Sequence, residues 1–410
     1  MQTNISNRLN HLDAVRAIAL ILGIVFHASL SFMPFFIGWA VMDINTSNIA
    51  AMFILISHSF RLEVFFLIAG FFAHMSFKKM NKAKFIESRM LRIAVPFVLF
   101  WFVLKPFIDA GWMMGANSYN GDIKILSSLS IAFLNFEKLP EGIFVGSHLW
   151  FLYYLLLITL GMILIRSLFG IKKGLLTKIG ERCDLILNIL ISKKMILILL
   201  LFPTVCCLWF MNHWGVDTPD KSLIPQTSVF VLYSLFFSLG WLLYRVPKLL
   251  IEFTRVTWVK IIFMVLSIIA CVFLSSFESQ YGHPNYLWFK AGYLISYAIM
   301  MWTLVLLLIG LCARLFSKPN LVVRYLSDAS YWMYLIHLPI VVFLQVLIAE
   351  LALFWWVKLL LIVTMTLIIC LLSYDGFVRS TVIGKILNGK RKSRKLFKFN
   401  RGRGVVHERV

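Results

Sequence analysis

Uninterrupted apolar blocks set the strongest limit on what this chain can become. They lie near 12–34, 49–76, 93–112, 147–168, 195–211, 228–246, 257–277, 291–313, 325–348 and 354–376. Nearly all reach the roughly 20 residues a helix needs to cross a hydrocarbon core. The blocks are continuous and do not alternate with period two, which argues for helices over barrel strands. The sequence therefore predicts an all-α, polytopic membrane protein with about ten transmembrane helices. Composition agrees: 14% of the 410 residues are charged, against roughly a quarter in a soluble domain. A transmembrane domain is expected over 1–380, followed by a basic, disordered tail over 381–410, with no separate soluble domain. Arg16 and His27 inside the first block mark it as a retained span rather than a cleaved signal peptide.

Charge placement assigns the sides. Lys and Arg between the blocks comprise Arg8 alone before the first, then six at 77–92, seven at 166–194, four at 245–260, three at 314–324 and eleven from Arg379 onward. These 32 fall on one side, while Lys124, Lys138, Lys221, Lys290 and Lys358 fall on the other. The positive-inside rule places the 32, and both termini, in the cytoplasm of a bacterial inner membrane. The net charge of +22 thus follows from topology, and no nucleic-acid partner is expected. The run Lys390–Arg403 suits anionic membrane lipid instead. Five of the six cysteines lie in apolar blocks, Cys183 lies in a basic loop, and no Cys/His ligand spacing occurs. Neither a disulfide framework nor a metal site is expected.

Titratable groups inside lipid are costly and mark candidate sites. In the first helix, Arg16 and His27 are 11 residues apart, which puts them on one face about 16 Å apart along the axis. Gly23 lies on the same stripe, and Asp13 lies one turn below Arg16. A cytoplasmic anion could meet Arg16 while its far end reaches His27. The competing reading has Arg16 snorkelling to headgroups and His27 satisfying a neighbouring helix. In the second helix, His58 and Arg61 share a face, whereas Glu63 points away from Arg61. Arg61 then needs an interhelical carboxylate or a ligand anion. His148 opens the fourth helix beside Trp150, where an interfacial role competes with a working one. Tyr334 and His337 share a face deep in the ninth helix. Lys105 and Asp109 read as a structural i, i+4 pair. Arg89 and Arg92 precede the third helix and could grip phosphates, although a plain basic cluster has the same sequence.

These residues resemble the motifs of membrane acyltransferase family 3. The likeness rests on Arg16-x10-His27, the run Val64–Phe71 (VFFLIAGF), Arg89-x-x-Arg92, Trp150-Phe151-Leu152 and Tyr334-Leu335-Ile336-His337. It is nearest to members that succinylate osmoregulated periplasmic glucans, through His58-Ser59-Phe60-Arg61 and Ser147–Leu152 (SHLWFL). Ala69 departs from the family's usual Ser before Gly70, a small-for-small change that bears on packing.

The resemblance implies transfer of an acyl group from cytoplasmic succinyl-CoA, or acetyl-CoA, to hydroxyls of a periplasmic glucan, with no permanently bound cofactor. His27 would act as base or acyl carrier, with Arg16 orienting the donor. Arg89 and Arg92 would bind CoA phosphates, and His58 and Arg61 the distal carboxylate of a succinyl group. Trp39, Trp112, Tyr119, Trp214, Tyr281, Tyr286 and Trp288 lie in or near the outer loops, where sugar stacking competes with an aromatic belt. Two other functions fit less well: O-acetylation of lipopolysaccharide or another exported polysaccharide, and saccharide flipping without chemistry.

Overall fold

A computed structural model describes residues 9–117, 124–135, 147–172, 174–192 and 195–396. Tyr119 and the tail beyond 396 lie outside the described residues. The helices in chain order are α1 (Asn10–Ser29), α2 (Asn48–His58), α3 (Arg61–Lys79), α4 (Lys82–Arg89), α5 (Val95–Asn117), α6 (Ile125–Leu134), α7 (Trp150–Phe169) and α8 (Leu175–Ser192). They continue as α9 (Ile196–Trp209), α10 (Thr227–Arg245), α11 (Pro247–Phe253), α12 (Trp258–Ser275), α13 (Tyr286–Leu315), α14 (Leu321–Ile348), α15 (Trp355–Ser373) and α16 (Val382–Asn388). Among the described residues no strand occurs, and 9 helical stretches are long and apolar enough to cross a membrane. The chain is an all-α polytopic membrane protein.

The tenth expected span, 195–211, is the exception. It forms α9, whose 14 residues rise only about 21 Å. Pro203 sits inside α9, and Trp302 Nε1 donates to Thr204 Oγ1 at 3.0 Å to tie it to α13.

Two other expectations change in a way that matters for the site. The second span is broken at Ser59–Phe60, so His58 closes α2 and Arg61 opens α3. Neither Gly nor Pro causes the break. The Ser57 and Ser59 hydroxyls donate to the carbonyls of Ile54 and Ile56, a local alternative to the helical ladder. The Arg-x-x-Arg pair, expected in a loop, is helical: Arg89 ends α4 and Arg92 lies in a π-turn, Met90–Ala94, that runs into α5.

The tightest crossing joins α3 to α10. A Cβ on Gly70 would run into the Phe237 carbonyl, and one on Gly240 into the Leu67 carbonyl. Small residues on both helices therefore let the backbones touch. The glycine of the VFFLIAGF run is a packing requirement.

At the end opposite the basic loops, Lys358 is fully buried and pairs with Asp43 at 2.7 Å. It is thus a tie for the loop after α1, not a solvated loop charge. The tail is packed through Leu396. Lys392 Nζ meets Asp328 at 2.5 Å, and the Asp375 carboxylate accepts from the backbone N–H groups of Lys395 and Leu396.

Candidate active site

A cavity of about 80 Å³ lies where α1, the α2–α3 break, the start of α7 and the middle of α14 converge. That is several times what one water requires. His27, His58, Arg61, His148, Tyr334 and His337 all line it. Residues from four separate segments, each nominated for being titratable within lipid, thus meet at one place.

The histidines are not equivalent. His148 donates from Nε2 to the Leu335 carbonyl at 3.0 Å, and its Nδ1 lies 3.2 Å from Ser147 Oγ. Ser147 holds φ of 50°, a conformation few non-glycine residues adopt. The reason for the Leu335 contact lies four residues on. Pro339 has no N–H, so the Leu335 carbonyl lacks its helical donor, and His148 takes that place. His337 spends Nδ1 on the carbonyls of Met333 (3.1 Å) and Tyr334 (2.8 Å) within its own helix. His58 Nε2 lies 3.4 Å from Thr218 Oγ1.

His27 differs from all three. Among the described residues neither of its ring nitrogens has a hydrogen-bond partner. Its ring is held by shape, stacked on Trp39 at 5.6 Å, edge-on to Phe26 at 5.2 Å and tilted to His337 at 5.3 Å. A ring fixed by packing with both nitrogens unspent is available for proton transfer or nucleophilic attack. The nitrogens of these histidines do not converge on a point, and no metal-ligand cluster occurs among the described residues.

Arg61 is the cation of the cavity. It is 5% exposed, and its guanidinium lies over the Phe26 ring at 3.9 Å. Its Nη1 is buried without a hydrogen-bond partner among the described residues. Gly23, on α1, leaves the corridor in which the Arg61 side chain runs. Arg61 also sits in the first turn of α3, so the positive end of a half-helix adds to its charge. Glu63, in the same turn, is fully buried but does not line the cavity, and no ion pair joins it to Arg61. Among the described residues, Arg61 is the one permanently charged side chain that lines the cavity.

Arg16 lies elsewhere. Its Nη2 donates to the Ser327 carbonyl at 3.4 Å and to Ser330 Oγ at 3.2 Å, and it does not line the cavity. Asp13 accepts from Ser327 Oγ at 2.9 Å. Arg89 stacks over Phe85 at 4.8 Å with its Nε unpartnered among the described residues, and Arg92 is close enough for the two charges to repel. Both belong to the opposite end of the bundle from His27, on the face of the basic loops.

Two residues escaped sequence reasoning. Gln345 is 1% exposed; its amide nitrogen donates to the carbonyls of His27 (3.0 Å) and Ala28 (3.1 Å), and its oxygen accepts from Trp39 Nε1 at 2.9 Å. It fixes the end of α1 and the Trp39 indole against which His27 stacks. Pro339, through Leu335, decides what His148 does. Its position four residues after Leu335 was the readable signal.

Of the aromatic candidates, Trp39 and Trp112 form a T-shaped pair at 5.2 Å next to His27. Trp214 and Tyr286 are bonded to each other at 3.1 Å, while Tyr281 and Trp288 are exposed. Lys105 and Asp109 form the expected pair at 2.5 Å.

Known proteins resemble this chain along most of its length. The model of the acyltransferase 3 family, described as an acyltransferase domain, matches residues 9–375. The glucans biosynthesis protein C of Escherichia coli O81 (strain ED1a) is 24% identical over 390 residues, covering 92% of this chain and 94% of the relative. The protein of the same name from Shigella dysenteriae serotype 1 (strain Sd197) is 23% identical over 387 residues, with 92% and 94% covered. That from Salmonella paratyphi B is 25% identical over 334 residues, with 81% and 82% covered. No solved structure matches. With nine-tenths of its length inside that family's model, the chain belongs to the acyltransferase 3 family of membrane acyltransferases.

Proposed function

We propose that this acyltransferase moves a succinyl group from cytoplasmic succinyl-CoA to a hydroxyl of a periplasmic glucan. One observation carries the reading: His27, its ring nitrogens unspent among the described residues, faces the same small cavity as Arg61, whose Nη1 has no hydrogen-bond partner among them. A sugar hydroxyl has a pKa far above 7 and needs a base in reach as it attacks a thioester. His27 takes the hydroxyl proton while the oxygen bonds to the acyl carbon. The imidazolium then returns that proton to the CoA sulfur as the carbon–sulfur bond breaks. In a two-step version His27 first takes the acyl group and passes it on, with the same net balance.

Arg61 and His58 suit the distal carboxylate that distinguishes succinyl from acetyl, since a buried guanidinium at a helix N-terminus favours an anion. Arg89 and Arg92, two like charges side by side on the basic face, suit the CoA phosphates. Trp39 and Trp112 offer the acceptor sugar a stacking wall beside His27. The names of the relatives support a glucan acceptor.

The test uses purified protein, labelled succinyl-CoA or acetyl-CoA, and glucan. His27→Ala, shown to be folded, loses transfer by a factor of about 10²–10⁴. Arg61→Gln loses succinyl transfer more than acetyl transfer. Wild-type rates from His27→Ala would sink the assignment. Mass spectrometry of periplasmic glucans with and without the gene checks donor and acceptor together, through a succinyl mass increment.

A further inference from the structure

Two of the helices that frame the His27 cavity, α3 and α7, frame with α10 a second, larger cavity at their other ends. Its volume is about 380 Å³, and it is lined by His74, Phe77, Lys78, Arg166 and Arg245. His74 and Lys78 lie in the last turns of α3, Arg166 near the end of α7, and Arg245 at the end of α10. His74 is 13 residues beyond Arg61 on α3, which separates the two cavities by about 20 Å. None of these five residues has a part in the proposed transfer chemistry.

Three cations and an imidazole converge here with one carboxylate between them. Asp184 of α8 takes Arg245 in a bidentate pair, at 2.8 Å from Nε and 2.9 Å from Nη2. Lys78 and Arg166 have no carboxylate partner among the described residues. Aromatic rings hold them instead. Arg166 stands over Phe77 at 5.2 Å and Trp241 at 5.7 Å, and Lys78 over Tyr244 at 5.3 Å. Cation–π contacts orient a charge without neutralising it. His74 is 5% exposed and stacks on Trp241 at 4.5 Å. Its Nδ1 donates to the Trp241 carbonyl at 2.7 Å, which leaves Nε2 as the ring's available nitrogen. Like charges held together in a concave site call for an anion with several acceptor oxygens, and phosphate is the group that guanidinium and ammonium share best.

We propose that the His74–Lys78–Arg166–Arg245 cavity binds a phosphate group presented at the face that carries the basic loops. Two sources offer that chemistry there: the headgroup of an anionic phospholipid and the phosphates of CoA. The geometry connects to both. The cavity lies at the ends of helices long and apolar enough to cross a membrane, the part of such helices that lipid headgroups meet. An aromatic bridge also runs to the Arg-x-x-Arg pair: Arg166 over Phe77, Phe77 against Phe85 at 5.3 Å, and Arg89 over Phe85. Phosphate capture in this cavity requires no acyl transfer, so it stands or falls apart from the reading of the His27 site.

The experiment compares the purified full chain with Lys78→Gln/Arg166→Gln, and with Lys78→Gln alone should the double variant fold poorly. One arm measures CoA binding by equilibrium dialysis. The other counts phosphatidylglycerol retained in native mass spectrometry from nanodiscs of phosphatidylglycerol and phosphatidylcholine. The expected result is binding of one probe weakened about tenfold or more. Loss in the CoA arm assigns the nucleotide as the source; loss in the lipid arm assigns the headgroup. If both probes bind the variants as they bind the parent chain, the proposal is wrong. A chain inactive in acyl transfer but sensitive in either arm would keep this site and lose only the other reading.

Discussion

Replacing His148 with Phe, in a cycle with Pro339→Ala, isolates one hydrogen bond whose value the backbone itself sets. The Phe ring fills much the same space but has no N–H for the Leu335 carbonyl, now served at 3.0 Å. Leu335 is fully buried, so its carbonyl is left unpaired, at a cost of about 1–3 kcal/mol. Pro339→Ala restores a backbone N–H at the position that normally serves that carbonyl in a helix. In that background the same His148→Phe change costs well under about 1 kcal/mol, because the carbonyl keeps a donor. The double-mutant cycle therefore gives a coupling of about 1–2 kcal/mol. Unfolding by SDS titration in mixed micelles, followed by Trp fluorescence, measures it. Transfer activity in the same four proteins separates a second role: if His148 serves only the carbonyl, the double variant recovers what His148→Phe lost. Costs that simply add, within about 0.5 kcal/mol, would refute the pairing.

Gly70→Ala forces a methyl group against the Phe237 carbonyl and destabilises the α3–α10 crossing by about 1–3 kcal/mol. Gly161→Ala, where nothing lies within 4 Å of the new atom among the described residues, is the neutral control in the same SDS titration. Lys358→Met leaves the buried Asp43 without its partner and costs about 3–5 kcal/mol, whereas Lys358→Met with Asp43→Leu recovers most of it. Equal losses from the single and double variants would contradict the pairing.

The site was legible to the extent that its members are expensive. Each of His27, His58, Arg61, His148 and His337 stands out because a titratable group in lipid needs a reason, and the cavity is where those reasons meet. Gln345 carried no such mark. It is a neutral amide whose meaning comes from the ends of α1 and Trp39, more than 300 residues away in sequence. The break after His58 was hidden for a related reason. It rests on two serine hydroxyls choosing carbonyls three residues back, and serine in an apolar helix leaves that choice open. The π-turn carrying Arg92 has no turn residue to announce it. Sequence also counts Lys358 simply among the charges of the outer side and leaves the tail disordered, because nothing local shows that Asp43 and Asp328 await Lys358 and Lys392, or that Asp375 awaits the backbone of Lys395 and Leu396.

The placement of Arg16 gives the Arg-x10-His spacing a different reading from donor capture. α1 and α14 run in the same direction and are tied at three heights. Asp13 and Arg16 grip Ser327 and Ser330 near one end, the His27 and His337 rings meet at 5.3 Å, and Gln345 holds the His27 and Ala28 carbonyls above. On that reading Arg16 is a positioning residue, whose bonds to Ser327 and Ser330 hold the register that sets His27 against His337. Bonds from a charged donor are worth about 1.5–3 kcal/mol each. A shift of about 1 Å at the reacting group costs on the order of 10²-fold in rate. Arg16→Gln is therefore expected to lower kcat with the donor KM nearly unchanged, and Ser330→Ala, which removes the acceptor, to move kcat the same way by less. Arg16→Lys, still able to donate to Ser330, recovers part of the loss. A donor-orienting Arg16 makes the opposite demand: the donor KM would rise about tenfold at constant kcat, and Ser330→Ala would be silent. That pattern would return Arg16 to the donor and leave the register of α1 to Asp13 and Gln345.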